Sequence, residues 1–570
     1  MTGDTDPPRP LRVRRHGDDV TPAGSVAPMT TGHGGDLALA ALRGYGVSEL
    51  FTLSGGHIFP FYDAAVKGEA GVRIVDVRHE QTATFAAEGM AKLTRRPGVA
   101  VLTAGPGVTN GISAMTTAHF NGSPLVVLGG RAPQNRWGSG SLQEFDHVPV
   151  VASITKSART AMATDDIPAE VDRAVTAALT PHRGPVFVDF PLDIVFGHGS
   201  ADVPAPRVPR GADPDPADVE RAAALIAAAE RPVIIAGTDV YWDGAWDALR
   251  DLVETLRVPT FMNGLGRGCL PADHELAFSR TRGMIKGKAD VVVVIGTPLD
   301  FRLSFGRYRD AAVIHVVDSP ESRATHVTPA VSPAGDLTRV LEGVAEAGGR
   351  AQRRASHEQW IADLTDAEAA AGAEDAPLLA ADTDPIKPTR VYGELRSRLD
   401  RDAVVVCDGG DFVSYAGKYV ESYQPGCWLD PGPYGCLGTG MGYATAARIA
   451  HPDRQVVVML GDGAAGFSLM DADTLVRHNL PVVIVVGNNG IWGLEKHPMR
   501  MLYGYDVAAD LQPGCRYDDV VRALGGAGEV VEKPGDIGPA LDRAFAAGAP
   551  YVVNVLTDPE DTYPRSSNLG

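Results

Sequence analysis

The sequence predicts an α/β protein built from three open domains whose sheets are mainly parallel. Aliphatic runs such as Val291 to Ile295 and Val456 to Leu460 recur along the chain. Short, continuous apolar runs are typical of strands that are buried on both faces of a sheet. Between the runs at 456–460 and 482–486, apolar residues return at helical spacing, which predicts a strand–helix–strand unit with parallel strands.

These patterns divide the 570 residues into three folded segments, within the range expected for this length. We predict domains at 34–196, 217–348 and 388–557, separated by a proline-rich polar linker and by a charged, alanine-rich linker. The tail 1–33 is rich in Pro, Arg, Asp and Gly and is predicted to be disordered. The polar segment 558–570 is predicted to close over a ligand.

The composition excludes several classes of protein. The net charge of −19 argues against nucleic acid and anionic membrane surfaces as partners. The longest apolar runs are too short to span a bilayer. The five cysteines are scattered and form no Cys-x-x-Cys pair, which argues for a reducing compartment and against structural zinc. We therefore expect a cytoplasmic enzyme.

Oxygen-bearing side chains follow two neighbouring strands of the third segment. Asp462 lies between Gly461 and Gly463 after the first strand, and Asn489 follows the second. Open α/β sheets bind ligands at the carboxyl ends of their strands. With the backbone carbonyl of Ile491, these groups supply three hard oxygen ligands, which suits Mg²⁺ bound to phosphate oxygens. The glycines allow a diphosphate to approach the backbone closely. For Gly-Asp-Gly alone, an ordinary turn is the alternative.

Another carboxylate, Glu80, is predicted at a turn from a strand to a helix. Val72 to Val77 has the composition of a strand, and apolar residues from Ala83 to Ala91 mark one face of a helix. A desolvated acid at such a turn can share a proton with a ligand. The alternative is a carboxylate that only favours the helix N-terminus.

The spacing of Asp462 and Asn489 resembles the binding motif for thiamine diphosphate (ThDP). The stretch from Arg78 to Gly89 resembles the activating-glutamate segment of acetolactate-synthase-like ThDP enzymes. The resemblance implies a pyrimidine-binding, a central and a diphosphate-binding domain, with ThDP and Mg²⁺ as cofactors. It also implies that Glu80 of one protomer activates the cofactor held by another, in a homodimer or homotetramer.

The same resemblance assigns expected roles to several loops. Gly461, Gly463 and Ala464 would line the diphosphate, the carbonyl of Gly435 would accept a hydrogen bond from the cofactor amine, and Leu437 would lie under the cofactor. Gln143, after Leu142, would contact cofactor or substrate. His57 would stand above the thiazolium, although a loop histidine without that role is an equal alternative. The residues that carry these loop assignments are Ser54-Gly55-Gly56-His57, Leu142-Gln143-Glu144, Gly435-Cys436-Leu437-Gly438 and Gly461 to Ala464.

The second segment lacks the Gly-Met-His-Gly signature of FAD-binding acetolactate synthases. It resembles the oxalyl-CoA decarboxylase and 2-hydroxyacyl-CoA lyase branch, whose central domain can hold ADP. Arg282 is expected to face a diphosphate, and Asp318, at the end of a strand, a ribose hydroxyl. ADP is the expected occupant and FAD the alternative. Surface charge at strand ends is the other interpretation of both residues.

The segment after the metal motif, Ile491 to His497, looks most like lyases that cleave 2-hydroxyisobutyryl-CoA. We therefore expect a lyase that splits a 2-hydroxyacyl-CoA into a ketone or aldehyde and formyl-CoA. Glu80, Glu495, His57 and Gln143 are its expected catalytic residues, with Glu495 the first and His57 the second candidate for the general base. A solvent-facing partner of Lys496 or Arg500 is the alternative interpretation of Glu495. One alternative is a 2-ketoacid carboligase of the acetolactate synthase type. The other is a paralogue without catalysis.

Overall fold

The structure is a computed structural model that describes residues 29–67, 71–351 and 356–563. It confirms the predicted fold class, because three mainly parallel sheets are flanked by helices. Most of the predicted disordered tail (residues 1–28) and the end of the predicted closing segment (564–570) lie outside the described residues. Among the described helices, none is both long and apolar enough to cross a membrane.

The N-terminal domain contains a six-stranded parallel sheet in the order β3-β2-β4-β5-β7-β6 and a two-stranded antiparallel ribbon, β1-β8. The strands are β1 (Met29–His33), β2 (Glu49–Thr52), β3 (Arg73–Asp76), β4 (Gly98–Leu102), β5 (Leu125–Arg131), β6 (Ser157–Thr160), β7 (Val186–Pro191) and β8 (His198–Asp202). The helices are α1 (Gly34–Gly44), α2 (Phe59–Lys67), α3 (Glu80–Thr94), α4 (Pro106–Asn110), α5 (Ile112–Phe120), α6 (His147–Val151), α7 (Ile167–Leu179) and α8 (Leu192–Val195).

The central domain has a five-stranded parallel sheet in the order β11-β10-β9-β12-β13. Its strands are β9 (Pro232–Ala236), β10 (Thr260–Met262), β11 (Ala277–Phe278), β12 (Val291–Ile295) and β13 (Ala312–Val316). The helices of this part of the chain are α9 (Pro216–Ala228), α10 (Thr238–Trp242), α11 (Trp246–Leu256), α12 (Ile285–Lys288), α13 (Leu337–Arg350) and α14 (Glu358–Leu379).

The C-terminal domain repeats the six-stranded parallel arrangement in the order β15-β14-β16-β17-β19-β18. Its strands are β14 (Val404–Asp408), β15 (Trp428–Leu429), β16 (Val456–Gly461), β17 (Val483–Asn488), β18 (Ala527–Val531) and β19 (Tyr551–Leu556). Its helices are α15 (Pro388–Arg396), α16 (Asp411–Tyr419), α17 (Thr439–Ala450), α18 (Asp462–Ser468), α19 (Ala472–Arg477), α20 (Gly493–Tyr503), α21 (Tyr517–Ala523) and α22 (Ile537–Ala546).

Two segments differ from the sequence-based expectation. Residues 29–33, predicted within the disordered tail, form β1, whose last residue, His33, caps α1. The second predicted linker contains α14, a helix of 22 residues. Alanine and glutamate favour helix intrinsically, and the Glu368 carboxylate of α14 accepts hydrogen bonds from the backbone of Arg280 and Thr281. The helix therefore docks on the central domain.

A buried seam joins the outer domains within one chain, between α3 and α17. Gly89 and Gly442 permit close approach, since a Cβ at Gly442 would lie 2.8 Å from the Phe85 Cβ. The seam is closed by the ion pair of Lys92 and Glu88, 3.1 Å apart and almost fully buried. Tyr443 donates to Glu88 at 2.6 Å. One apolar cluster spans both domains, and each domain has a further cluster of its own.

Candidate active site

Asp462 begins α18 at the carboxyl end of β16, and its side chain is buried. Its carboxylate accepts the backbone N–H groups of Gly463 at 2.9 Å and Gly490 at 2.6 Å. Gly490 follows Asn489 in the chain, so the loop after β17 lies directly against Asp462. Burial raises the pKa of Asp462 to about 7, and the nearby Asp411 adds to the rise. A cation beside this carboxylate would stabilise its ionised form.

Asn489 follows β17 and lies next to Gly490, whose N–H group donates to Asp462. Its side-chain oxygen accepts the Ile491 N–H at 3.1 Å, and its amide donates to Asp411 at 3.1 Å. An amide oxygen has two lone pairs, so one remains for a metal. Asp411, at the start of α16, was not predicted as a site residue. Burial raises its pKa as well.

The backbone around Asp462 fits a diphosphate and its cation. A Cβ built at Gly461 or at Gly435 would meet no atom within 4 Å, so both positions face open space. Gly463 has no such space, since its Cβ would lie 2.4 Å from the Trp492 ring. Ala464 is buried behind this loop. The buried carboxylate of Asp462, the half-buried carboxylate of Asp411, an amide oxygen and an open glycine turn suit a hard divalent cation that carries phosphate oxygens.

Glu80 begins α3, four residues after β3, as the sequence predicts. Its side chain is only 7% exposed, and its carboxylate accepts a hydrogen bond from the Asn110 amide at 3.0 Å. The next residue, Gln81, donates to the Leu437 carbonyl of the C-terminal domain at 3.1 Å. Asn110 and Gln81 were not predicted as site residues. Both are ordinary amides with no distinctive sequence pattern around them.

The loop from Gly435 to Leu437 is held from its other side by Asp408. This buried carboxylate, at the end of β14, accepts the N–H groups of Gly438 at 3.1 Å and Gly440 at 2.9 Å. Burial raises the pKa of Asp408 to about 7, against the lowering effect of those hydrogen bonds. Gly435 and Gly438 have positive φ values of 69° and 91°, which favour glycine. The position of Leu437 is thus fixed by two domains.

His57 and Gln143 lie together at the carboxyl edge of the N-terminal sheet. The His57 ring is buried, 3.3 Å from the Thr103 hydroxyl, and it has a hydrogen bond to the Leu142 backbone. Burial lowers the pKa of His57, so the ring is neutral at pH 7. Gln143 has a φ of 58°, and a Cβ at Gly105 would lie 3.0 Å from its Cβ.

A buried histidine supports this edge from below. The Gly105 N–H donates to His147 at 2.9 Å, and the other ring nitrogen of His147 lies 3.0 Å from Asp189. Arg131 donates to the same carboxylate at 3.0 Å. His147 was not predicted as a site residue, because nothing in its local sequence pattern indicates that it contacts a glycine turn.

The two predicted nucleotide contacts of the central domain lie in different surroundings. Arg282 is half-buried, and within the described residues its Nη2 atom has no hydrogen-bond partner. The same holds for the buried hydroxyl of Tyr308. Asp318 is buried, and its carboxylate lies 3.1 Å from the ring of His182 and accepts a hydrogen bond from the Ser322 hydroxyl at 3.1 Å.

Glu495 lies in the first turn of α20, and the residue is exposed. Two basic residues near it have acidic partners elsewhere: Lys496 pairs with Asp506 and Asp510, and Arg500 pairs with Asp506. The helix that follows the metal motif is therefore tied to the segment after it by ion pairs.

Comparison with known proteins identifies the three domains. The models of the thiamine pyrophosphate enzyme N-terminal, central and C-terminal domains match residues 32–150, 219–344 and 408–555. The acetolactate synthase large subunit of Mycobacterium tuberculosis is 54% identical over 550 residues, which cover 95% of this chain and 99% of that protein. The 2-hydroxyacyl-CoA lyase 2 of Caenorhabditis elegans is 34% identical over 88% of this chain and 85% of its own length. The human 2-hydroxyacyl-CoA lyase 2 is 32% identical over 92% and 90%.

These identities correct the expected activity. A 2-hydroxyacyl-CoA lyase was the main expectation, yet relatives with that name are only 30–34% identical, against 54% for the acetolactate synthase. The expectation depended on a few loop residues, and single loop positions vary easily within a family. The role of Glu495 as base for a 2-hydroxyacyl-CoA is withdrawn with it. From the domain matches and the near-complete coverage of its relatives, the chain belongs to the family of thiamine diphosphate enzymes.

Proposed function

We propose that the protein is a 2-ketoacid carboligase of the acetolactate synthase type. In that reaction one 2-ketoacid loses CO₂ and the remaining fragment joins a second, so that two pyruvates give acetolactate and CO₂. The observation that carries the proposal is the 54% identity to an acetolactate synthase over 99% of that protein's length. The N-terminal domain carries Glu80, and the C-terminal domain carries Asp462 and Asn489. The presence of all three argues against a paralogue without catalysis.

Bound ThDP supplies the carbanion and the electron sink for such chemistry. Asp462, Asn489 and the carbonyl of Ile491 are proposed to hold Mg²⁺ and the diphosphate. The short contact from Gly490 to Asp462 supports this set, because it brings the two loops together. Glu80 is proposed to exchange a proton with the pyrimidine N1′. The Asn110 amide orients its carboxylate, and the low exposure of Glu80 favours proton sharing.

The groups proposed to face the substrate are mostly apolar or neutral. Leu437 and Leu142 present alkyl side chains, and Gln143 supplies an amide. The lowered pKa of His57 leaves its imidazole neutral at pH 7, so it can accept or return a proton during carboligation. Hydrogen bonds from Gln143 and His57 would orient a small ketoacid, and the two leucines would contact its alkyl group.

A homodimer or homotetramer with sites between protomers is part of the proposal. Large apolar side chains remain exposed in segments that follow the strands: Leu142 is 78% exposed, Phe467 56% and Met501 72%. Exposed apolar surface of this kind favours a partner surface, and a second copy of the chain would supply one. Glu80 of one protomer would then activate the cofactor held by its partner.

A nucleotide in the central domain is also proposed. The unpartnered Arg282 Nη2 and Tyr308 hydroxyl, taken among the described residues, support an anionic ligand such as a diphosphate. Because Asp318 is paired with His182, a ribose contact would require that pair to open. The visible absorption of the purified protein distinguishes FAD, which is yellow, from ADP.

The test is to supply pyruvate with ThDP and Mg²⁺ and to measure CO₂ and acetolactate together. We expect one CO₂ for each acetolactate, and a Glu80→Gln variant that makes neither. A protein that leaves pyruvate unchanged while splitting a 2-hydroxyacyl-CoA would contradict the proposal.

The position of the site between protomers has its own test. Glu80→Gln and Asp462→Asn variants are each expected to be inactive. Unfolded and refolded together, they should regain about a quarter of wild-type activity, since random pairing places two intact halves in one site of each hybrid dimer. If each site were built within one chain, mixing would restore nothing.

A further inference from the structure

Three side chains from two domains converge where the central sheet would bind a ligand. The chain order along the sheet reverses between β9 and β12, and crevices at such reversals are ligand sites in open α/β sheets. Asp239 follows β9, and Asp318 follows β13. His182 reaches them from the turn between α7 and β7 of the N-terminal domain. The cluster therefore lies at the junction of the two domains.

The spacing of the three groups matches a metal coordination shell. The Nδ1 atom of His182 lies 3.6 Å from Asp239 Oδ1 and 3.1 Å from Asp318 Oδ2. One ligand atom from each residue lies within 4.8 Å of the other two. Zinc bonds to nitrogen and oxygen of about 2.0–2.2 Å place neighbouring ligand atoms of a tetrahedron roughly 3.3–3.5 Å apart. A small movement of Asp239 would complete the shell.

The charges of the cluster are compatible with a bound cation. The two carboxylates are almost fully buried: the Asp239 side chain is 7% exposed and that of Asp318 is 0% exposed. Among the described residues, His182 is the one basic side chain within 4 Å of Asp239, at a distance beyond hydrogen bonding. Burial and the charge of Asp318 raise the pKa of Asp239, so this carboxyl group holds a proton when no ion is bound, and a metal would displace that proton.

Other basic side chains nearby are directed to other partners. Arg183 pairs with Asp243 at 2.8 Å. Lys156 directs its ammonium group to the carbonyls of Thr180 and His182, at 2.6 and 2.7 Å. A divalent ion bound by two carboxylates and a neutral imidazole would leave the cluster without net charge.

We propose that His182, Asp239 and Asp318 form a binding site for a divalent transition metal, with Zn²⁺ the best match, at the junction of the N-terminal and central domains. Imidazole disfavours Mg²⁺ and favours zinc and its neighbours in the first row. The His182 side chain is 35% exposed, which leaves an open side for a water as fourth ligand. The Ser322 hydroxyl holds Asp318 from behind, as outer groups do around metal ligands.

The site would connect a loop of one domain to two strands of another. Because the ligands come from separate domains, the metal would bind the folded arrangement and stabilise it by mass action. It is separate from the proposed Mg²⁺ position, whose candidate ligands all lie in the C-terminal domain. A metal on Asp318 would exclude a ribose contact at that residue, so the proposed nucleotide would then depend on Arg282 and Tyr308.

The experiment uses the full-length protein, stripped with a chelator and returned to excess Mg²⁺ and ThDP. Zn²⁺ is then titrated and bound metal is counted after gel filtration, and Co²⁺ replaces Zn²⁺ for a visible spectrum. We expect one equivalent of Zn²⁺ and the absorption bands of a low-coordinate Co²⁺ site. The affinity should fall at least about tenfold, the loss seen even for outer-shell groups, in His182→Gln, Asp239→Asn and Asp318→Asn.

The matched control is Asp243→Asn, which removes a neighbouring buried carboxylate outside the cluster and should keep the equivalent of Zn²⁺. Thermal melting guards against variants that fail to fold: Zn²⁺ should raise the Tm of the wild type and of Asp243→Asn, and leave that of Asp239→Asn unchanged. Equal binding by the wild type and all three cluster variants would mean an adventitious ion only and would overturn the proposal. So would the absence of any bound Zn²⁺ in the wild type.

Discussion

The N-terminal and C-terminal domains share one strand order. Numbered along the chain within each domain, the six strands of both sheets lie in the order second, first, third, fourth, sixth, fifth. The loops after equivalent strands therefore occupy equivalent places. After the second strand come Glu80 in one domain and the Gly435 loop in the other, and after the third come Gly105 and Asp462. One scaffold thus presents two different sets of chemical groups, which agrees with the rule that sites, not folds, determine function.

The electrostatics of the two carboxyl edges differ. At the C-terminal edge, burial raises the pKa values of Asp408, Asp411 and Asp462. A cation bound beside Asp411 and Asp462 would stabilise their ionised forms. At the N-terminal edge, burial lowers the pKa of His57, and the buried Asp189 is already paired with Arg131. The C-terminal edge is therefore the one proposed to bind a metal, and the N-terminal edge is the one proposed to transfer protons.

The largest expected effect tests the proton-moving edge. Glu80→Gln keeps the size of the side chain and an oxygen that can accept the Asn110 hydrogen bond. Turnover should fall by about 10²–10⁴-fold, the usual contribution of a general acid–base group, while ThDP binding stays close to wild type. Steady-state kinetics and calorimetric titration of ThDP measure the two quantities. Glu170→Gln, on the distant helix α7, should leave both unchanged, and unchanged turnover in Glu80→Gln would remove the distinction between the edges.

The next effect tests the metal-binding edge. Asp462→Asn removes the charge and keeps one oxygen for the loop N–H groups. The affinity for ThDP in the presence of Mg²⁺ should fall by at least roughly 10–100-fold. This is the loss that follows a change in a group that only supports a metal ligand. Titrations with and without Mg²⁺ should converge in this variant. Asp473→Asn, which changes a partly exposed carboxylate of α19 that is paired with Arg477, is the control. ThDP affinity that keeps its full Mg²⁺ dependence would show that Asp462 is not a ligand.

A pH experiment sharpens the electrostatic contrast. Asp408 titrates near pH 7 in the folded chain and near about 3.9 when unfolded. The folded state therefore binds the proton more tightly, and the stabilisation is complete below about pH 4 and is lost as pH rises through 7. The slope can reach about 1.4 kcal/mol per pH unit for one group. The Tm of the wild type minus that of Asp408→Asn should fall from pH 5 to pH 8.

The control for that series is Asp400→Asn, an exposed carboxylate just before β14. Its difference in Tm from the wild type should stay flat over the same range. A flat difference for Asp408→Asn as well would mean that Asp408 is ionised throughout and that its two N–H bonds outweigh burial.

The smallest expected effect concerns the link between the edges. Gln81→Ala removes the hydrogen bond to the Leu437 carbonyl and should cost about 0.5–1.5 kcal/mol of stability. Because Leu437 lies in the loop proposed to shape the cofactor, KM for ThDP should rise a fewfold. Gln81→Glu tests direction: a carboxylate cannot donate to the carbonyl and should not rescue. Full rescue by Glu would show that only side-chain size matters.

Much of the fold could be predicted from local pattern. The run from Val291 to Ile295 is β12, and the runs at 456–460 and 482–486 fall on β16 and β17, because parallel strands are covered on both faces and therefore continuously apolar. The helix α14 could not be separated from a linker, since its alanine-rich sequence shows little apolar periodicity and its docking depends on a distant arginine. The strand order that the two outer sheets share could not be predicted from the sequence either. A strand order determines which positions are buried, but many different residues can occupy those positions.

The candidate site was predicted only where sequence neighbours carry it. Asp462 and Asn489 follow adjacent strands, so their convergence was foreseeable, and their roles remain proposals. Asp411 was missed although it follows a buried strand and two glycines, the same signal that marked Asp462. Asn110 contacts Glu80 and His182 contacts Asp318, and each pair is far apart in the sequence and meets only in the folded chain. The activity was mistaken because Leu142, Leu437 and Glu495 report local shape, and shape at single positions does not determine a reaction.

The seam between α3 and α17 limits how the enzyme can admit its substrate. Its ion pair of Lys92 and Glu88 is sealed from water, and separating the outer lobes would expose both charges, a penalty of several kcal/mol. This cost disfavours a hinge motion that separates the two outer domains within one chain. We expect access to come from rearrangement of peripheral loops, which carry fewer buried contacts than this seam.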